Sequence, residues 1–449
     1  MHFCTTIRTA ALLLLLSLSP LANAQPTGNS PYSAFGFGDM LSNGQATQAL
    51  MGGASLAVTE PFAVLLGNPA SYAALVRPVF ETGAAFRSTR SSTVSASTKQ
   101  NDANFTGFDI GVPFAKGKWG LALGLAPYSD VGYSTTNTSL FDGGSVKYEY
   151  TGSGGLDRAF FGIGHTVYQH PTDSLGNTGS RILVGADLNF IFGSIEQTRD
   201  AVYPANMGYA NLRTFSSLIL RSPTADASVI WQGDLTRKKN KGNDNWRWSV
   251  GASVALPANF RARYTNLVTT YTTSSGIDNI RDSVPSEHDL KGRIEIPVAL
   301  GLGIGVQNAR WAFTAEVKQQ DWRNTKVEVP GYTMPTTFRN SMAFSAAARF
   351  QPAMEGNLLQ RAVYRLGVRH AGAPLEIRAQ ELATNAATMG ISLPLNAAQT
   401  NSWFNLGAVL GQRGSTAEGL INERYVTVWI GLTFTPWRGE RWFMAPKIQ

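Results

Sequence analysis

From about residue 79 onward, apolar and non-apolar positions alternate with a period of two, segment after segment. That is the pattern of strands with one apolar face. Between Gly292 and Val306 one face reads Ile294, Ile296, Val298, Leu300, Leu302, Ile304 and Val306. The other reads Arg293, Glu295, Pro297, Ala299, Gly301, Gly303 and Gly305. Val426, Val428, Ile430, Leu432 and Phe434 repeat the alternation near the C-terminus, as do Trp119 to Leu125 and Trp246 to Leu256. The pattern predicts strands over 79–91, 102–113, 118–128, 156–169, 180–197, 226–238, 245–258, 290–306, 309–322, 339–351, 361–371, 386–394, 402–411 and 424–435. Longer connections (128–156, 198–226, 258–290, 322–339, 371–386) alternate with short ones such as Ala115-Lys116-Gly117, Lys239 to Asp244 and Gln307-Asn308-Ala309. Long loops on one side and tight turns on the other are the habit of bacterial outer-membrane barrels.

Alternation alone also fits a soluble sandwich, in which one sheet face is wet. Two features favour the membrane. The segments are long for globular strands, and their non-apolar faces carry Gly, Ala and Ser rather than rows of Lys and Glu, as a filled lumen requires. Composition agrees: aromatics are 10%, charged residues only 15%, and glycines number 45. The expected fold is therefore all-β, a transmembrane antiparallel barrel of about fourteen strands. Pro113 and Pro127 read as strand ends, because proline cannot donate to a ladder. Trp119, Trp246, Trp311, Trp322, Trp403, Trp429 and Trp442 suit interfacial girdles.

The first residues read as an export signal: Arg8, the apolar run Ala10 to Leu18, then Ala22-Asn23-Ala24 before a mature start at Gln25. The chain's single cysteine, Cys4, precedes that run. Residues 1–24 are thus expected to be cleaved on the way to the outer membrane, and 79–449 to form the barrel. Residues 25–78 do not alternate. Their aromatic and apolar content argues against a disordered tail, and their length against an independent core. A plug packed inside the barrel is the expectation.

The net charge of +8 is spread along the chain rather than clustered, so nucleic acid is not an expected partner. No G-x-S-x-G or H-E-x-x-H motif occurs, and His165, His170, His288 and His370 lack metal-ligand spacing. No enzyme, cofactor or metal is expected. Inward charges read from the alternation include Glu81, Arg87, Asp109, Asp187, Arg247, Arg293, Glu295, Glu316, Lys318 and Arg349. Arg361, Arg365 and Arg369 recur every four residues and so read as one strand face. Lumen arginines there can hold an acidic head group bidentately, or pair with wall acids.

Ser30-Pro31-Tyr32-Ser33, Phe35-Gly36-Phe37-Gly38-Asp39, Met51-Gly52-Gly53-Ala54 and Asn68-Pro69-Ala70-Ser71-Tyr72 precede Phe80-Glu81-Thr82-Gly83. Tyr364 to Val368, Leu393-Pro394-Leu395, Gly411 to Ser415, Gly419 to Glu423 and a closing Trp442-Phe443 follow. In this order the motifs resemble the FadL/TodX-type family of outer-membrane transporters, in its Bacteroidetes-type branch. The resemblance implies fourteen strands, a hatch carrying Asn68, Pro69 and Ala70, and a hydrophobic ligand that leaves sideways through the wall. The implied function is passive uptake of long-chain fatty acids or hydrocarbon-like molecules. Outer-membrane lipids and the ligand are then the partners. Barrels of this broad family also serve as protein partners of type IX-like secretion or surface assembly, and an open general porin is the third class.

Overall fold

The computed structural model describes residues 30–436, apart from 42–43, 116–117, 142–143, 172, 175–178, 205–206, 237–244, 275, 284–286, 335–336, 379 and 396–401. The expected signal peptide and Trp442-Phe443 lie outside the described residues. Fourteen antiparallel strands follow: β1 Val79–Ser92, β2 Ser97–Phe114, β3 Trp119–Phe141, β4 Gly144–Gln169, β5 Arg181–Val202 and β6 Asn211–Asp234. Three interrupted strands come next. β7 comprises Arg247–Ala255 and Ala258–Ser274; β8 comprises Ile277–Ser283, Glu287–Ile296 and Ala299–Gln307; β9 comprises Trp311–Asp321 and Lys326–Glu328. β10 (Thr337–Phe338 and Asn340–Phe350), β11 Val363–Ile377, β12 Gln380–Pro394, β13 Trp403–Arg413 and β14 Asn422–Phe434 complete the wall.

Neighbours in sequence pair throughout, and β14 closes on β1 from Phe80↔Phe434 to Ser92↔Asn422. Closure removes the free edges that a bilayer cannot hydrate. The side chains of Phe86, Phe105, Phe161, Leu188, Val250, Leu302, Phe344, Leu366, Met389 and Val428 stand exposed around the outside as an apolar belt. Among the described residues no helix is long and apolar enough to cross a membrane; the strands cross.

Each expected strand is present, but several run on. β4 is 26 residues long and β6 is 24, whereas a tilted span needs about 9–11. Much of 128–156, 198–226, 258–290 and 371–386 is hairpin rather than loop. Beyond the lipid both faces meet water, so the alternation that identifies a strand fades there.

Four other expectations change. Pro127 lies inside β3, where the pairing with β4 slips between Pro127 and Ser129; only Pro113 stands near a strand end. Phase flips at Leu256-Pro257 and again at Pro297-Val298. Ile294 and Ile296 are therefore buried inside, while Leu300, Leu302 and Ile304 face out. Glu295 and Arg293 consequently turn outward, and Glu295 pairs with exposed Lys326. Trp322 and Trp429 are buried at 3% and 8%, packed on interior apolar side chains rather than standing in a girdle.

Leu302→Arg, at the belt, is expected to destabilise the folded barrel by about 2–4 kcal/mol if it lies at the bilayer midplane. Leu140→Arg, 84% exposed on the β3–β4 hairpin, should change stability by no more than about 0.5 kcal/mol. Urea titration of both variants refolded in lipid vesicles measures the contrast.

Candidate transport site: the barrel interior and a break in its wall

Residues 30–78 bond to the inward side of the wall nearly all the way round. The Ser55 and Leu56 amides both donate to Glu316 Oε2 at 2.8 Å. Ser249 Oγ donates to the Ala57 carbonyl at 2.5 Å, Ser345 Oγ to the Gly52 carbonyl at 3.0 Å and Thr388 Oγ1 to the Leu50 carbonyl at 2.9 Å. Glu81 accepts from the Val64 amide and from Thr47. Arg349 Nη1 reaches both carboxylate oxygens of Glu60 at 2.8 Å. The small inward residues now have a reason. A Cβ on Gly251 or Gly120 would collide with the Leu56 or Tyr72 backbone, and one on Gly303 would crowd Leu56 and Ala57.

Asn68, Pro69 and Ala70 sit where the segment turns back along the wall. Pro69 opens a short 3-10 helix, Pro69–Ala74, a position that suits its fixed φ and missing donor. Fully buried Asn68 donates from Nδ2 to the carbonyls of Ser55 (2.6 Å) and Leu56 (3.2 Å). It accepts from Ser228 Oγ at 2.9 Å, and the Ala70 amide donates to the same hydroxyl at 2.8 Å. One side chain thus ties two strands of chain to β6.

The three arginines do not form one strand face. Arg361 ends a helical turn, Leu358–Arg361, ahead of β11, because Asn357 caps that turn with a capping box instead of extending the strand. Arg365 and Arg369 do share the inward face of β11. Arg365 is 5% exposed and donates through Nη1 to Ser392. A cavity of ≈ 440 Å³ brings Arg361 and Arg365 together with Arg349, Glu60, Thr47 and Trp403; Arg369 lies away from it. Among the described residues no group of three or more His, Cys, Asp or Glu is placed to hold a metal.

Two features emerge that alternation could not reveal. The first is an apolar box: Phe37 is 3% exposed, with ring centroids at 6.4 Å from Phe260, 6.1 Å from Trp322 and 6.3 Å from Phe338. Leu156, Ile191, Leu220, Ile294 and Val329 extend it across the lumen. Gly36 and Gly38, which flank Phe37, both take positive φ, which lets the ring swing inward.

The second is a break in the wall. β2 and β3 pair only from Phe108↔Leu125 to Phe114↔Trp119. At Gly107, whose φ of +88° disfavours any side chain, β2 departs from β3. Beyond it the freed edge of β3 is taken by the N-terminal segment. Asp39 and Met40 pair with Asp130 and Ser129, and the Leu41 amide donates to the Tyr128 carbonyl at 2.9 Å. Gln45 spans to β2, exchanging bonds of 3.3 and 2.9 Å with Thr106. Arg413 holds the start of this bridge, binding Asp39 at 2.6 Å, Glu423 at 2.7 Å and Ser30.

A closed fourteen-strand wall with an apolar belt, an inner apolar box and a bridged side opening defines a transmembrane β-barrel. The family model named BamG matches residues 6–449, so the chain belongs to the BamG family. No curated protein matches it. Its structure is similar to the Ralstonia pickettii toluene transporter TbuX, with a TM-score of 0.52 at 13% identity, covering 88% of this chain and 99% of that one. A Pseudomonas aeruginosa FadL homologue gives 0.53 at 11%, with the same coverages. The P. putida toluene transporter TodX gives 0.51 at 15%, again over 88% and 99%. At these identities the likeness concerns the fold.

Asn68→Ala removes three hydrogen bonds at once and strands buried partners, a loss on the order of 1–3 kcal/mol. The expected outcome is a lower urea midpoint together with new proteolytic cuts within residues 44–78.

Proposed function

We propose that this protein is an outer-membrane channel through which hydrophobic or amphipathic small molecules, long-chain fatty acids or hydrocarbon-like compounds, diffuse passively. In this reading residues 25–78 are the hatch, set in place by Asn68, Pro69 and Ala70, and 79–449 the barrel. The motif order argues for the Bacteroidetes-type branch of the FadL/TodX-like barrels. The observation that carries the proposal is a juxtaposition: Phe37, at the centre of the apolar box, lies two residues from Asp39, where the same segment begins to bridge the wall. A ligand that replaced Phe37 in the box would disturb the bridge, and the way out would lead sideways into lipid. An acyl chain gains about 0.8 kcal/mol per CH₂ on entering an apolar phase, so a sideways exit runs downhill where a watery channel would not. The fold neighbours are described as transporters and channels, and transport is the role this reading gives the chain.

In this reading Arg361 and Arg365, which line the ≈ 440 Å³ cavity beside Arg349, receive a carboxylate head group. Arg369 lies outside that cavity, so it has no part in this reading.

Two measurements test the reading. In a Cys4→Ser background, Met40→Cys with Ser129→Cys places thiols at partnered positions of the bridge. Oxidation is expected to cut uptake of a radiolabelled long-chain fatty acid several-fold, and reductant to restore it; uptake indifferent to oxidation overturns the sideways route. Arg365→Gln is expected to weaken binding of that fatty acid by about tenfold, the loss of one charge-assisted contact, while binding of toluene stays constant. Equal effects on both ligands would assign Arg365 to the wall alone.

A second reading, an accessory of protein secretion or surface assembly, draws on the tall hairpins. The β3–β4 tip exposes Leu140 at 84% and Phe141 at 37%, apolar side chains far along the hairpin from the belt. Affinity capture with lipid analysis separates the two: bound acyl lipid favours the channel, a stoichiometric protein the accessory.

A further inference from the structure

On the outer face of the wall, at the end opposite Val79 and Phe434, one ladder row crosses six strands. His370 is partnered with Asn385, Asn385 with Gln412, Gln412 with Arg424, Arg424 with Arg90, and Arg90 with Lys99. All six are exposed. The row beneath, two residues nearer the bilayer centre, is Val368, Ala387, Leu410, Val426, Ser88 and Asn101. On β11 to β14 the boundary between polar and apolar wall falls between these rows; on β1 and β2 it falls one row lower, at Phe86 and Ala103.

The cationic end of the row is unusual. Arg424, Arg90 and Lys99 stand directly opposite one another on β14, β1 and β2, where side chains lie about 5 Å apart at Cβ and like charges are destabilising. Among the described residues none has an acidic partner; Arg90 Nε donates to Ser97 Oγ at 2.9 Å. Nearby acids turn the other way: Glu423 is wholly buried and bonded to Arg413, and Asp102 is half-buried opposite inward Arg87. Three cations without an acidic partner, with Val426, Leu410 and Val368 running away beneath Arg424 on β14, β13 and β11, match an amphiphile with multiple negative charges at its head and acyl chains to one side below.

We propose that Arg90, Lys99 and Arg424 form a binding site for the phosphorylated head group of an outer-leaflet lipid, whose acyl chains lie along Val368, Leu410 and Val426. The inference goes beyond the transport reading and needs only that the barrel stands in a membrane.

The test uses the full barrel in detergent micelles, titrated with bisphosphorylated lipid A and, separately, with the same lipid enzymatically stripped of phosphate, by native mass spectrometry. The intact protein is expected to prefer the phosphorylated form by at least ~10-fold, and Arg90→Gln/Lys99→Gln/Arg424→Gln to lose that preference, as removal of three head-group cations implies. Rising salt should weaken the intact complex, and equimolar inorganic phosphate should not displace the lipid. Arg90→Lys/Arg424→Lys is expected to keep the preference, which separates charge from folding, and gel mobility of heated against unheated samples reports a folded barrel. Equal binding of both lipids, an unchanged preference in the folded triple-glutamine variant, or displacement by inorganic phosphate overturns the proposal. So does loss of a co-purifying acidic protein with lipid binding intact.

Discussion

Everything in this barrel is arranged around one requirement: a strand facing hydrocarbon must give every backbone donor and acceptor a partner. Thirteen of the fourteen seams meet it with neighbouring strands alone, if the long β7–β8 and β8–β9 seams are followed across their interruptions. The β2–β3 seam does not. Above Gly107 Asp39, Met40 and Leu41 take the β3 edge from Tyr128 to Asp130, and the Gln45 carboxamide bonds Thr106 on β2. The edge is covered there by a segment held through a few short contacts instead of a full strand. A seam of this kind is the weakest place in the wall, and the place where a sideways opening costs least.

The same requirement explains the chemistry of the interior. Residues 44–78 carry many backbone groups that no helix or sheet satisfies, and the wall supplies the missing partners through side chains: Glu81, Ser228, Ser249, Glu316, Ser345 and Thr388. Close approach then demands glycine on the facing strands, as at Gly120 and Gly251. Polar and small residues inside the barrel are two halves of one solution. Of the charges that alternation placed inward, Glu81, Glu316 and Arg349 serve it directly, binding the segment rather than lining an aqueous pore.

Sequence was a good guide wherever one face met lipid and the other met protein, since burial then writes itself as a period of two. The fourteen strands were legible for that reason. Beyond the lipid the hairpins of β3–β4 and β5–β6 lost their signal, because Thr135 to Leu140 is exposed on both faces. The phase flips at 256–257 and 297–298 were hidden too: Ile294 and Leu302 look alike in a list, and only the irregularity at Pro297-Val298 sends them to opposite faces. Arg361 failed for a local reason, the Asn357 cap that forms a helical turn just before β11. Phe37 and its box were invisible, since a ring between glycines says nothing about which distant strands will receive it.

Those flips have a consequence for the interior. Below them the inward positions of β7 and β8 are Ser249, Gly251, Gly301 and Gly303, which admit backbone; above them they become Phe260, Ala262, Ile294 and Ile296, which admit only apolar groups. A break that changes which residues look inward lets one pair of strands serve two environments, a polar seat for the N-terminal segment and an apolar chamber over it. Had β8 kept one phase from Ile294 to Val306, the chamber would lose Ile294 and Ile296 to the lipid, or the belt would lose Leu300 and Leu302 to the seat. The interrupted strands are thus the means by which a single wall keeps a lipid-facing belt, a hydrogen-bonded floor and a dry aromatic box at different heights.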